Sequence, residues 1–379
     1  MKIGIDCRIY GPKHTGIGRY VQNLVENLLI QDKENEYVLF INKDSENDFE
    51  NLKLKIKNSF QISYCKFQIV FTDVSHYSLQ EQLLLPKLIK KQKVDLMHFP
   101  HFNAPVFYGG KYVVTIHDLI KHLSKGPSTT TRCTALYWLK YLGYKIVFKQ
   151  AVKRAEKIIT PSQYVKDELI KLYKVGADKV IVTYEGVDNK FQANTKYKIL
   201  NTKYKIKNPF LLYVGSVYPH KNIERLIEAV KLIDKKLVIV CARNVFRDRL
   251  NNFIAQNSAE DLVTFTGYVS NDELARLYQE AEAFVFPTLS EGFGLPGLEA
   301  MSLGCPVICS DISVLKEVYK NAAVYFNPLD SKDVAEKIKL VISDKEILEK
   351  LKKQGLELVK EYSWQKMAQE TLKIYKEAA

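Results

Sequence analysis

The sequence has few of the features that mark secreted, membrane-spanning or metal-centred proteins. Its 379 residues include only six cysteines, with no Cys-x-x-Cys pair, which argues against a disulfide framework or a structural zinc site and favours reduced, buried thiols. The N-terminus MKIGIDCRIY mixes charged and apolar residues, unlike a secretory signal. No apolar run reaches the roughly 20 residues that span a bilayer. We therefore expect a cytoplasmic protein whose membrane contact, if any, is peripheral and on the inner face of the cell membrane.

The dinucleotide-binding fingerprint is also missing. The segment TGIGRY, which follows the first apolar run, supplies Gly16 and Gly18 but has Val21 where Gly-x-Gly-x-x-Gly needs a third glycine. This weakens the interpretation as a two-domain Rossmann oxidoreductase. The two glycines still allow a close approach of the backbone to a phosphate or a sugar.

Acidic residues are scarce in one part of the chain. The formal net charge is +13, and residues 1–200 alone account for +12. Between residues 119 and 155 there are eight Lys or Arg, several aromatics and no Asp or Glu. This composition predicts an amphipathic helix that contacts an anionic partner, which is either a membrane surface or an anionic acceptor. The alternative is a basic face that is only solvated. The aromatic signature of an RRM sheet is absent, so we expect no nucleic-acid partner.

Short apolar runs alternate with helical patterns, which indicates doubly wound α/β layers in two domains. We predict an N-terminal Rossmann-like domain over 1–195, a second over 209–360 and a C-terminal helix over 361–379 that packs on the first. The polar stretch 192–208 is the expected linker. The predicted strands are 2–6, 37–41, 95–99, 112–116, 157–160, 210–215, 236–241, 262–267, 283–287 and 306–310.

The strongest local motif is SEGFGLPGLEAM, residues 290–301, directly after the strand AFVFP. Its glycines allow close backbone approach to a ligand, and the turn opens a helix whose first N–H groups can bind an anion. Glu291 in the loop and Glu299 in the helix are eight residues apart and can accept hydrogen bonds from sugar hydroxyls. Such turns also occur for purely structural reasons in α/β proteins.

The Glu-x7-Glu motif, with AFVFPTLSEGFGLPGLEAMSLGCPVICSD and VTFTGYVSNDELARLYQEA around it, closely resembles retaining glycosyltransferases of family 4. The resemblance implies the GT-B architecture, in which two Rossmann-like domains face each other across a cleft and the C-terminal helix crosses back to the first domain. It also implies transfer of a hexose from a nucleotide-sugar to a glycan or lipid-linked glycan.

The resemblance assigns donor-binding roles in the second domain. Glu299 would accept from the ribose, Gly294 and Leu295 would offer backbone N–H groups, and Glu291 would contact the hexose as a catalytic residue. Lys221, in YVGSVYPHKN, would hold the pyrophosphate. The family often has a basic residue where Ser216 stands, so His220 or Arg243 would have to compensate. The loop 267–270 would face the base.

In the first domain, Gly16 and Gly18 would reach toward the donor. His117, at the end of VVTIHDLIK, would line the sugar pocket as the second catalytic residue, with Asp118 orienting it. Neither is assigned as a general base, and a lone His at a strand end is often structural.

The resemblance further implies front-face attack, in which an oxygen of the leaving phosphate takes the proton of the acceptor. In the alternative mechanism, Glu291 acts as a covalent nucleophile. No Asp-x-Asp pair occurs, so we expect no metal and no cofactor.

Within the family, the chain looks most like bacterial mannosyltransferases of surface polysaccharide assembly, which favours GDP-mannose as donor. The segments that carry this likeness are HFPHFNAP, RAEKIITPSQYVKDEL and VTYEGVD. UDP-glucose or UDP-N-acetylglucosamine is the alternative, and a non-catalytic sugar-nucleotide binder is a more distant one.

Overall fold

A computed structural model gives the three-dimensional structure of the protein. It describes residues 1–11, 14–43, 66–124, 126, 130, 134–187, 204, 206, 208–241 and 245–379. The chain divides into two compact units. Unit 1 comprises Met1–Leu119, Ala135–Gly186 and Ser363–Ala379, and unit 2 comprises Ile120–Thr134 and Val187–Tyr362.

Unit 1 is built on a parallel sheet, whose described strands run in the order β3-β2-β1-β4-β5-β6-β7. The strands are β1 (Lys2–Asp6), β2 (Glu36–Asn42), β3 (Lys66–Thr72), β4 (Leu96–Phe99), β5 (Tyr112–Thr115), β6 (Lys157–Thr160) and β7 (Val180–Val182). In this register Ile5 of β1 lies between Leu39 of β2 and His98 of β4. The strand order reverses between β1 and β4, which is where open parallel sheets bind ligands beyond their carboxyl ends.

Helices connect these strands because apolar residues recur at helical spacing between the strand runs. In sequence order they are α1 (Thr15–Gln31), α2 (Leu79–Lys91), α4 (Thr134–Arg154) and α5 (Gln163–Tyr173). The short helix α3 (Ile120–Leu123) lies between α2 and α4 in the sequence but falls in unit 2. In α1 the residues Tyr20, Leu24 and Leu28 form one buried stripe. Under the sheet, Phe40, Phe99 and other apolar side chains form a continuous core.

Unit 2 repeats the arrangement with a parallel sheet in the order β10-β9-β8-β11-β12-β13. Its strands are β8 (Phe210–Val214), β9 (Lys236–Val240), β10 (Val263–Phe265), β11 (Ala283–Phe286), β12 (Val307–Ser310) and β13 (Ala323–Phe326). Here the order reverses between β8 and β11. The next helices are α6 (Ile223–Leu232), α7 (Arg247–Gln256), α8 (Asn271–Glu280), α9 (Leu295–Ser302), α10 (Ser313–Tyr319), α11 (Ser331–Ser343) and α12 (Lys345–Leu358).

The final helix, α13 (Trp364–Ala378), belongs to unit 1. The hydroxyl of Tyr375, buried on α13, lies 2.6 Å from Nδ1 of His98 on β4. Lys376 forms an ion pair with Glu34, just beyond α1. The helix thus covers the sheet of unit 1 next to α1.

These observations confirm the predicted α/β class with two Rossmann-like sheets, and every strand predicted from an apolar run is present. The strands β3, β7 and β13 were not predicted. Most of the expected linker 192–208 lies outside the described residues. Across the part of the chain that is described, no helix has the length and apolar character needed to cross a membrane.

The cysteines that the structure describes are buried and unbridged, as the composition predicts. They are Cys7, Cys241, Cys305 and Cys309. Burial raises the pKa of the Cys305 thiol to about 12. These thiols therefore stay protonated and behave as small apolar side chains.

Candidate functional site

The turn after β8 brings Lys221 to the carboxyl edge of the unit 2 sheet. One turn of 3₁₀ helix, Pro219–Lys221, ends at Asn222, whose left-handed backbone (φ 59°) starts α6. The Asn222 amide donates to the carbonyl oxygens of Pro287 at 3.1 Å and Pro328 at 2.7 Å. Since β8 and β11 are neighbours, these bonds fix the turn against the loop that follows β11.

An ion pair joins these two loops. Lys221 Nζ donates to Glu291 Oε1, and it also lies 5.7 Å from the centroid of the Phe286 ring. The two side chains are 15% and 12% exposed. The Leu289 N–H donates to the His220 carbonyl at 2.8 Å and so reinforces the contact. The structure therefore brings together two sequence-predicted residues at the point where the strand order reverses.

Lys221 receives no help from a charged His220. Burial, followed by the charge of Lys221, lowers the pKa of His220 to about 3, so its ring is neutral at neutral pH. A neutral His220 adds no positive charge beside Lys221, and its expected compensating role stays a prediction. Ser216 lies half-buried, and its carbonyl accepts from the Tyr213 hydroxyl at 2.7 Å. Arg243, the other expected compensating residue, lies outside the described residues.

The glycine-rich turn after β11 is shaped by a tyrosine. Gly294 has a φ of 105° and immediately precedes Leu295, the first residue of α9. The Tyr319 hydroxyl donates to the Gly294 carbonyl at 2.5 Å. A Cβ atom on Gly297 would collide with the Tyr319 ring. The protein's own packing therefore requires a glycine at 297, whether or not a ligand approaches there.

Glu299 is a buried carboxylate on α9, only 4% exposed. The Tyr278 hydroxyl lies 3.4 Å from its Oε2 atom. A buried carboxylate is costly unless hydrogen-bond donors surround it, so this residue is suited to binding a polar ligand or to structural hydrogen bonding. The nearby loop 267–270 turns at Gly267, with φ 73°, and ends at Ser270, which caps α8 in a capping box with Glu273.

His117 follows β5 in unit 1. Its Nδ1 atom lies 3.2 Å from Glu185 Oε1, and its Nε2 atom lies 2.9 Å from the Pro100 carbonyl oxygen. The Tyr20 ring packs edge-on against the imidazole, with centroids 4.6 Å apart. Asp118, next in the chain, is half-buried.

Gly16 and Gly18 lie in the first turn of α1, which begins at Thr15. A Cβ atom on Gly18 would collide with the Gly11 carbonyl oxygen, whereas one on Gly16 would meet nothing within 4 Å. Gly18 is therefore needed for packing within unit 1. Gly16 alone retains open space toward a ligand.

A charged cluster lies where β1 ends. Ligand atoms of Asp6, His76 and Glu81 lie within 4.8 Å of one another, but the Arg8 guanidinium donates to Asp6 at 2.7 Å and to Glu81 at 2.5 Å. Burial alone would raise the pKa of Asp6, but the charge and hydrogen bonds of Arg8 outweigh it and lower the pKa. Arg8 thus already serves as a counter-ion to both carboxylates.

Sequence reasoning missed Glu185 and Tyr319 as functional-site neighbours. Glu185 lies in VTYEGVD just beyond β7, so its position at the carboxyl edge of the sheet was the available signal. Tyr319 on α10 carried no signal, because its contact with the glycine turn depends on how α10 packs beside α9.

Family models match both halves of the chain. The model "Glycosyltransferase Family 4" matches residues 14–191, and the model "Glycosyl transferases group 1" matches residues 198–358. Together the two models cover every described strand from β2 to β13, and β1 precedes the matched ranges.

Curated relatives include the O-antigen chain mannosyltransferase RfbU of Salmonella typhimurium, 36% identical over 62% of this chain and 65% of RfbU. The O-antigen chain mannosyltransferase B of Escherichia coli is 27% identical over 96% of both chains. Among solved structures, Anabaena Alr3699/HepE in complex with UDP-glucose matches with a TM-score of 0.75 at 16% identity over 99% of both chains. That structural likeness supports the fold alone.

Proposed function

Because this chain belongs to the glycosyltransferases of family 4, we propose that it transfers mannose from GDP-mannose to a glycan or lipid-linked glycan acceptor. We further propose that the transfer retains the anomeric configuration and needs no metal ion. UDP-glucose is the alternative donor, since HepE was solved with it.

The observation that carries the proposal is the Lys221–Glu291 pair at the carboxyl edge of unit 2. A pyrophosphate would take Lys221 as its counter-ion, with backbone N–H groups of Gly294 and Leu295 as further donors at the start of α9. Glu291, once released from Lys221, would accept hydrogen bonds from hexose hydroxyls. Glu299 would do the same for the ribose.

The names of RfbU and mannosyltransferase B support mannose as the transferred sugar. The donor is tested by thermal shift with GDP-mannose, UDP-glucose and UDP-N-acetylglucosamine, each at the same concentration. A ligand that binds the native state at 100 times its Kd stabilises it by about 2.7 kcal/mol. GDP-mannose should raise Tm most. A larger increase of Tm with either UDP-sugar would identify that UDP-sugar as the donor in place of GDP-mannose.

Retention is tested on the product. With wild-type protein, an α-linked donor should give an α-linked product by NMR of the anomeric proton. A β-linked product would refute the front-face mechanism while leaving glycosyl transfer itself intact.

A second part of the proposal concerns helix α4. Its buried side chains, Phe148, Ala151 and Val152, all lie in its second half. In the first two-thirds, Leu139, Leu142 and Ile146 fall on one helical face and are 68%, 59% and 54% exposed. Leu136 and Trp138 are exposed on other faces, so the expectation of an amphipathic helix is wrong for α4 as a whole. The helix also carries Lys and Arg side chains and no acidic residue.

We propose that this face docks on an anionic lipid surface, because exposed leucines beside lysines suit insertion at the headgroup level. Each engaged basic residue contributes about 1 kcal/mol. Replacing Lys140, Lys145 and Lys149 by Glu should therefore weaken flotation with phosphatidylglycerol vesicles by roughly a hundredfold.

The matched control changes Lys345, Lys350 and Lys353 on α12 to Glu, which alters the net charge equally and should leave flotation unchanged. Equal flotation with neutral and anionic vesicles, or equal losses in the two triple variants, would remove the lipid surface from the proposal. An anionic glycan acceptor would then be the better partner for α4.

A further inference from the structure

Both ring nitrogens of His117 face oxygen atoms. Nδ1 lies 3.2 Å from Glu185 Oε1, and Nε2 lies 2.9 Å from the Pro100 carbonyl oxygen. A carbonyl oxygen can only accept, and a neutral imidazole has a single N–H. A neutral ring beside an ionised Glu185 would therefore leave one nitrogen lone pair opposite an oxygen lone pair.

Glu185 also needs a cation. The side chains of His117 and Glu185 are only 10% and 7% exposed, and an uncompensated carboxylate at such a position costs several kcal/mol. An imidazolium satisfies both needs, since it donates from both nitrogens and neutralises the carboxylate.

Among the residues that the structure describes, the other groups packed around the ring do not supply that charge. Tyr20 from α1 packs on the ring, and burial, with a smaller contribution from Glu185, raises its pKa, so it stays a neutral phenol. Its hydroxyl lies 3.2 Å from Thr115 Oγ1, which in turn lies 2.8 Å from His98 Nε2. Burial, followed by the charge of His117, lowers the pKa of His98 to about 3, so His98 is neutral.

We propose that His117 is a fixed imidazolium, and that Glu185 is the positioning residue that holds it in this form. With both N–H groups donating, neither ring nitrogen has a lone pair. His117 therefore cannot take the proton of an acceptor hydroxyl, and it acts as a stationary positive charge beyond β5. This deepens the proposed glycosyl transfer, on which it rests, because another group must then accept that proton.

The test is NMR of histidine side chains in the full-length chain labelled with ¹⁵N-histidine, and it needs no substrate. The chain has seven histidines, and the His117→Gln variant assigns the His117 signal by its loss. At about pH 8.5, an unperturbed histidine of pKa about 6.5 is roughly 99% neutral. We expect His117 to show two protonated nitrogens at that pH.

Glu185→Gln removes the charge and retains the shape. In this variant His117 should show a single protonated ring nitrogen at about pH 8.5, while His98 stays neutral and its signals report an intact unit 1. Glu185→Asp retains the negative charge and should therefore restore part of the imidazolium signal that Glu185→Gln loses. A purely structural role of Glu185 would not predict this difference between the two variants.

A neutral His117 in the wild-type chain at about pH 8.5, including the form in which Glu185 holds the proton, would overturn the proposal. So would a Glu185→Gln variant whose His117 keeps two protonated ring nitrogens at that pH. If the NMR result holds but no donor is turned over, the proposed function fails and the imidazolium stands.

Discussion

Replacing Glu291 by Gln should have opposite effects on the binding of a nucleoside diphosphate and on turnover. In the structure Glu291 competes for the ammonium group of Lys221. A pyrophosphate must break this pair before it can use Lys221, and it is also repelled by the carboxylate. The neutral amide removes both obstacles, so GDP should bind more tightly to the variant than to the wild type.

The magnitude follows from the burial of the pair. Exposed ion pairs contribute up to about 1 kcal/mol, and buried ones cost several kcal/mol when one partner is removed. With side chains 15% and 12% exposed, this pair lies between those limits. A contribution of about 1–2 kcal/mol corresponds to roughly 5- to 30-fold tighter binding of GDP. Turnover should fall strongly, because the hexose loses a charged acceptor.

Titration calorimetry with GDP measures the affinity, and Glu282→Gln is the matched control. Glu282 forms a comparable pair with Lys235, 2.9 Å apart and about a quarter exposed, but it directly precedes β11 at the opposite edge of the sheet. The control should leave the GDP affinity unchanged. Unchanged or weaker GDP binding by a folded Glu291→Gln variant would refute the role of Lys221 as pyrophosphate partner.

Three further predictions test other parts of the site. Glu299→Ala should weaken GDP and GDP-mannose binding alike, because the ribose is common to both, and equal calorimetric affinities for wild type and variant would remove that role. Gly297→Ala should lower the free energy of unfolding by about 1–3 kcal/mol, because the new methyl group overpacks against Tyr319. The control is Gly143→Ala on α4, where a Cβ meets nothing within 4 Å, and it should not destabilise the protein. Equal urea midpoints for the two variants would contradict the packing argument. Turnover should persist in excess EDTA, since Lys221 and helix N–H groups carry the diphosphate charge, and activity that is lost and then restored by magnesium or manganese would show a metal requirement.

The sequence predicted the strands that are buried on both faces, because these read as continuous apolar runs such as FLLYV and AFVF. It missed β3, β7 and β13, which are edge strands and are only partly buried. A partly buried edge strand gives a weaker apolar pattern, and β10 is the edge strand that was nevertheless predicted.

The sequence motifs named individual candidate residues but not the contacts between them. Lys221 and Glu291 are 70 residues apart, and they meet because β8 and β11 are neighbours in the sheet. That order depends on tertiary packing, which a local motif does not encode. The His117–Glu185 contact is of the same kind, since it joins the loops after β5 and β7.

The assignment of α13 to unit 1 has a consequence for the synthesis of the chain. Chains emerge from the ribosome from the N-terminus, and domains generally fold as they become available. The helix that supplies Tyr375 to His98 is encoded after the whole of unit 2. During translation α13 is therefore made only after all of unit 2, and until then it cannot cover His98 and the surface beside α1. The unit whose synthesis begins first is the last to be synthesised completely.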